Sequence, residues 1–123
     1  MDTIYHVTQT KWDGQDLMPL HDMVRTGKMT WFRAIRSMMR RWDWTLEQAA
    51  EYFDRDDANQ VHAYTDLETS REFMAEFAPN GSLLAINTDD YRITMAKHLT
   101  EDYGDGHVAI NGTVPADLIT EIK

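Results

Sequence analysis

The chain has 123 residues, 42% of them hydrophobic, and its 12 basic and 21 acidic side chains give a formal net charge of −9. That length suits one domain with a single core, and the apolar content excludes general disorder. The negative charge opposes general binding to a phosphate backbone and suits a basic or nucleic-acid-binding protein partner, while the absence of cysteine excludes disulfides and thiolate metal sites.

No basic start followed by an apolar run is present, and no apolar stretch approaches the roughly 18 residues that a membrane span requires. The expectation is a soluble cytoplasmic protein, residues 1–123 forming one domain. Ile4 to Thr8, "IYHVT", alternates as a short strand and carries His6. From Asp16, Leu17, Leu20, Met23 and Val24 recur at helical spacing, with Pro19 in the first turn and Gly27 as the stop. In Trp31 to Trp42, Phe32, Ile35, Met39 and Trp42 form an apolar stripe, and Arg33, Arg36 and Arg40 share another face. Thr45 to Phe53 opens with a possible capping box, Thr45 to Gln48. Asp54 to Gln60 reads as a charged, solvated loop.

Val61 to Thr65 is the second strand, leading into a helix over Asp66 to Phe77 that Thr65 and Glu68 would cap. Pro79-Asn80-Gly81 marks a turn before a buried strand, Ser82 to Asn87. Tyr91 to Ala96 reads as a partly exposed strand or short helix, and Glu101 to Gly106 as an acidic turn. His107 to Gly112 alternates as a strand, and the segment from Val114 ends the chain as an extended or one-turn element. Helices cluster in the first half and strands in the second, so the order predicts an α+β fold with a mixed or antiparallel sheet.

Three histidines, His6, His62 and His107, each occupy a strand. Imidazole is a common zinc ligand, but the spacing matches no metal motif, and no metal is expected. Arg33, Arg36, Arg40 and Arg41 stand out in so acidic a chain. Guanidinium groups suit a pyrophosphate or terminal phosphate, and the simpler reading is a solvated helix face.

The succession of segments resembles the ADP-ribosyltransferase superfamily, including the tRNA 2′-phosphotransferases. "IYHVT" is similar to the first-strand motif, His-Gly-Thr in much of that family. "VHAYTDLETSREFM" is similar to the second, and in the phosphotransferase branch that strand reads His-Val-His-Leu, close to Gln60-Val61-His62-Ala63. "GHVAINGTVPADLITEI" resembles the third, while Met29 to Asn59 matches nothing in the family. The resemblance implies an ADP-ribosyltransferase-like fold and NAD as the co-substrate. It implies that His6 contacts a ribose and that the backbone of Val7 and Thr8 clamps nicotinamide. His62 and Tyr64 would stack on nicotinamide, with Phe73 behind them, and His107 stands at the third catalytic position, where protein-modifying members mostly carry Glu. By guanidinium chemistry, not by the resemblance, Arg33 and Arg36 would meet the phosphates. The implied activity is transfer of ADP-ribose to a macromolecule, most simply a protein, with no direct nucleic-acid or membrane partner; by analogy, phage–host or toxin conflict is the setting. The alternative is a catalytically silent acidic protein that inhibits a nucleic-acid-binding partner. On the transferase reading, His6, His62 and Tyr64 converge on one cleft.

Overall fold

The first strand, β1, runs from Thr3 to Val7 in a computed structural model that describes residues 3–96 and 106–123. Its antiparallel neighbours are β3 (Leu83–Asn87), with Ile4 opposite Ile86 and His6 opposite Leu84, and β2 (Gln60–Tyr64), with Tyr5 opposite Tyr64. Together with β4 (His107–Asn111) and β5 (Ile119–Ile122) they make a five-stranded antiparallel sheet of order β4-β2-β1-β3-β5. The fold is α+β, as the element order predicts. The C-terminal stretch is both of the things expected of it, a 3₁₀ turn over Ala116–Leu118 followed by the strand β5. Tyr91 to Ala96 is a turn ending in an isolated antiparallel bridge, Met95 to Ile110, along the outer edge of β4. The acidic segment 101–105 lies outside the described residues.

Strand alternation divides the sheet into two faces. Ile4, Val61, Ala63, Leu84, Ile86, Val108, Ile110 and Ile119 fill one face, over which Trp12, Leu17, Ile93 and Met95 pack. Val7 and Leu83 belong to the other, together with Tyr5, and are covered by Leu67, Phe73 and Met74 of α4 (Leu67–Phe77). Asp66 caps α4, its carboxylate accepting from the Thr69 amide at 2.8 Å. This corrects the Thr65–Glu68 capping box: the Thr65 amide donates instead to the Gly106 carbonyl at 2.9 Å, prolonging the β2–β4 ladder.

The described residues divide into two compact units, one of Met1–Leu17 with Val61–Lys123 and a helical one of Met18–Gln60. The helical unit holds α1 (Leu20–Arg25), α2 (Trp31–Trp42) and α3 (Leu46–Phe53). The helix start expected near Asp16 moves to Leu20, with Pro19 as the N-cap residue. Asp16 and Leu17 are taken by the C-terminal segment: the Asp16 carboxylate accepts from the Ala116 amide at 2.8 Å, and Leu17 pairs with Val114. Thr45 and Gln48 form the expected capping box of α3.

The stripe read on α2 is corrected. Ala34, Ile35 and Met38 are buried against Ala49 and Phe53, whereas Phe32 and Trp42 are 61% and 51% exposed. The α2–α3 contact sets Ala34 and Ala49 among the larger Ile35, Met38 and Phe53, so small and large side chains interdigitate there. Among the described residues no helix is long and apolar enough to cross a membrane.

Candidate functional site

Tyr64 and His107 stand on adjacent strands, and their rings stack at 5.3 Å between centroids with 28° between planes. His62 lies two residues before Tyr64 on the same face, and its Nδ1 is 3.2 Å from His107 Nε2. One of these nitrogens donates and the other accepts, so the two imidazoles share a single proton position. The ring of Phe73, from α4, is 5.8 Å from that of Tyr64 and tilted 45° to it, and Phe77 is 5.0 Å from Phe73. Two strands and one helix thus assemble a row of ring faces, His62, His107, Tyr64, Phe73 and Phe77, whose last member is 57% exposed.

Burial, and secondarily the nearby His62, hold the His107 imidazole below its usual pKa. Both causes disfavour the charged form, so His107 is neutral near pH 7 and available to accept a proton. The consequence for stability has a definite sign. The unfolded chain takes up a proton near the ordinary imidazole pKa of about 6.5, while the folded chain resists it to lower pH. The stabilising effect is therefore full above about pH 6.5 and lost as pH falls through the folded value. Urea titrations of wild type at descending pH should show this loss, and His107→Gln should show a shallower slope over the same interval. Equal slopes would contradict the geometry.

The structure separates His6 from this row. His6 faces with Ile4 and opposes Leu84, on the face of the main core, while His62 and Tyr64 face with Tyr5. The expected single cleft of His6, His62 and Tyr64 is corrected, because the β1–β2 register pairs Tyr5 with Tyr64 and so puts Tyr5 on that face. His6 is nonetheless tied to the site through the backbone. Its Nδ1 is 2.6 Å from the His62 carbonyl, and since a carbonyl only accepts, this nitrogen carries the proton. His6 thus fixes the strand segment that bears His62.

Val7, expected to clamp through its backbone, is a core residue packed with Ala78 and Leu83, and its backbone stands opposite Leu83 in the β1–β3 pairing. The clamp expected at the Thr8 amide is also corrected: that N–H donates to the Ser82 carbonyl at 2.9 Å, and the Thr8 hydroxyl accepts from the Ser82 amide at 2.8 Å. Thr8 is a sheet-closing residue. Arg33 and Arg36 lie on the exposed face of α2, in the helical unit.

Two groups escape a reading of the sequence. Tyr5 is the first-strand side chain on the Tyr64 face, and only the register reveals it. Ser82 is 3% exposed, accepts from the Trp12 amide and donates to the Glu121 carboxylate at 3.0 Å, which places a carboxylate on β5 opposite Leu84. Among the described residues no three His, Asp or Glu side chains gather to hold a metal ion.

No family model, no curated protein and no solved structure matches the chain. The ring row on β2, β4 and α4 therefore carries the functional reading by its own chemistry.

Proposed function

We propose that the Tyr64 face of the sheet binds the nicotinamide end of NAD, and that the protein is an ADP-ribosyltransferase-like enzyme acting on a macromolecular target. The observation that carries this reading is the Tyr64–His107 stack with His62 in hydrogen-bond reach. These residues come from two segments far apart in sequence, each singled out for its resemblance to a motif of that superfamily. A row of ring faces suits a planar heteroaromatic group, which stacks offset or edge-on with a gain beyond its buried area. The Thr8 amide does not contribute, being committed to Ser82.

When bound, NAD supplies an ADP-ribosyl group on a glycosidic bond to a cationic leaving group. Tyr64 and Phe73 offer the stacking surface, and Tyr5 stands beside Tyr64 across the strand pair. His62 positions His107 through their shared proton. Neutral His107 takes the proton from the attacking group of the target. His6 is a positioning residue acting through the His62 carbonyl.

Calorimetric titration of NAD into wild type and Tyr64→Leu tests the reading. Leucine keeps apolar bulk against Phe73 but removes the stacking ring, worth about 1–3 kcal/mol per base or base-like ring. Affinity should fall roughly ten- to hundredfold with the far-ultraviolet dichroism unchanged. No heat with wild type, or equal affinities, would sink it.

One observation favours a second reading, an acidic binding protein. Met18–Gln60 contains as many basic as acidic residues, so the entire charge of −9 resides in the rest of the chain. A basic partner on that unit would be released by salt, whereas NAD bound by stacking would not.

A further inference from the structure

From Arg25 to Arg41 the chain carries Arg25, Lys28, Arg33, Arg36, Arg40 and Arg41 without a single acidic residue. The helix α2 presents most of them: Arg33, Arg36 and Arg40 are exposed, at positions i, i+3 and i+7 of one face. Among the described residues none of these three forms an ion pair. They span about 10 Å along the helix axis at 1.5 Å per residue.

Aromatic rings are interleaved with these cations. The Arg36 guanidinium lies over the Phe32 ring at 6.0 Å, and Arg41 over Trp42 at 5.1 Å. Asp43 ends α2 in the left-handed conformation, φ 56° and ψ 41°, and this reversal returns Trp44 onto the helix, its amide donating to the Met39 carbonyl at 3.1 Å. The result is a shallow depression of about 270 Å³ lined by Arg36, Met39, Arg40 and Trp44. Trp44 is braced from behind by Tyr52 at 5.2 Å and flanked by Trp42 at 6.0 Å. Trp31, Phe32 and Trp42 are between 44% and 61% exposed on the same helix.

We propose that this arginine–aromatic face of α2 and Trp44 binds single-stranded nucleic acid, with Arg33, Arg36 and Arg40 on successive phosphates and a base in the Trp44 depression. A guanidinium stacked on a ring keeps its N–H edge for a phosphate while its plane stays ordered. An extended strand offers both of the things this face is built to meet, a phosphate row and π-faces, and the pairing of cationic groove with stacking rings is the physical basis of single-strand binding. An acidic peptide would use the cations alone and leave the exposed tryptophans without a role. Base stacking in a duplex would bury the faces that Trp44 needs. The net charge of the chain opposes nucleic-acid binding, but that charge lies outside Met18–Gln60, and it sets a modest affinity rather than forbidding contact.

The site is independent of the NAD reading and is tested on the full chain with a fluorescein-labelled oligouridylate of about a dozen nucleotides, followed by anisotropy from about 50 to 200 mM salt. Wild type should bind it, and Arg36→Ala with Arg40→Ala should weaken binding at least tenfold. Both arginines are exposed, so the fold is retained. With two phosphate-neutralising cations removed, the slope of log K against log salt should flatten by about 1.4. Arg36→Lys with Arg40→Lys should restore the slope, and Tyr64→Leu should leave binding intact. No binding by wild type, or binding indifferent to the double alanine variant, would overturn the proposal. So would a polyglutamate or a duplex of the same length that competes as well as the single strand. Self-association abolished by the same variant, with no oligonucleotide bound, would assign the face to a second copy of the chain instead.

Discussion

Gly81→Ala should destabilise the protein by roughly 2–6 kcal/mol, the sum of an overpacking term and two lost hydrogen bonds. A Cβ at this position would sit 1.7 Å from the Thr8 carbonyl oxygen and 2.9 Å from its carbon. Both atoms are backbone, so no rotamer change relieves the contact. The strands β1 and β3 must part, and the Thr8 amide then loses the Ser82 carbonyl and the Ser82 amide loses the Thr8 hydroxyl. Glycine is needed here for close approach rather than for a left-handed turn. Equilibrium urea unfolding measures the loss, and a variant within about 0.5 kcal/mol of wild type, the ordinary scatter of surface substitutions, would contradict the packing at this junction.

Leu84→Ala should cost about 2–5 kcal/mol, the range for emptying a fully buried leucine site. Leu84 has no exposed surface and stands at the centre of the main core, opposite His6 on one side and Glu121 on the other. A strand core covered on both sides has little room to collapse around the cavity, which favours the upper part of that range. Leu84→Met keeps the volume and should cost less than about 1.5 kcal/mol. The pair is read in one denaturation experiment, and equal losses for the two variants would show that cavity formation is not the cause.

Much of the sheet is legible from local sequence because alternation and turn chemistry are local. Ile4 to Thr8 and Val61 to Thr65 differ from β1 and β2 by a residue at each end, and Pro79-Asn80-Gly81 does precede β3. Faces across strands are different. Alternation places His6 relative to Ile4, and His62 relative to Tyr64, but only the pairing of Tyr5 with Tyr64 decides which set meets which. That register is a long-range property, so sequence alone groups His6 with His62 and passes over Tyr5. The helix α2 shows the same limit in another form. Its periodicity is real, yet two neighbouring stripes that share Ile35 satisfy it, and only the partner helix, through Ala49 and Phe53, decides that the one with Ala34 and Met38 is buried. Net charge hides a third feature: averaging over 123 residues conceals a run from Arg25 to Arg41 that has no acid in it.

The row of Tyr64, His62, His107 and Phe73 as a nicotinamide site is tested most directly by observing the histidine ring resonances by NMR while NAD is added. His62 and His107 should shift together and saturate, since stacking and a shared proton couple both rings to anything bound there. His21, held in the helical unit by the Phe53 carbonyl, provides the internal reference and should stay in place. Unmoved His62 and His107 resonances at saturating NAD, or shifts confined to His21, would contradict the site.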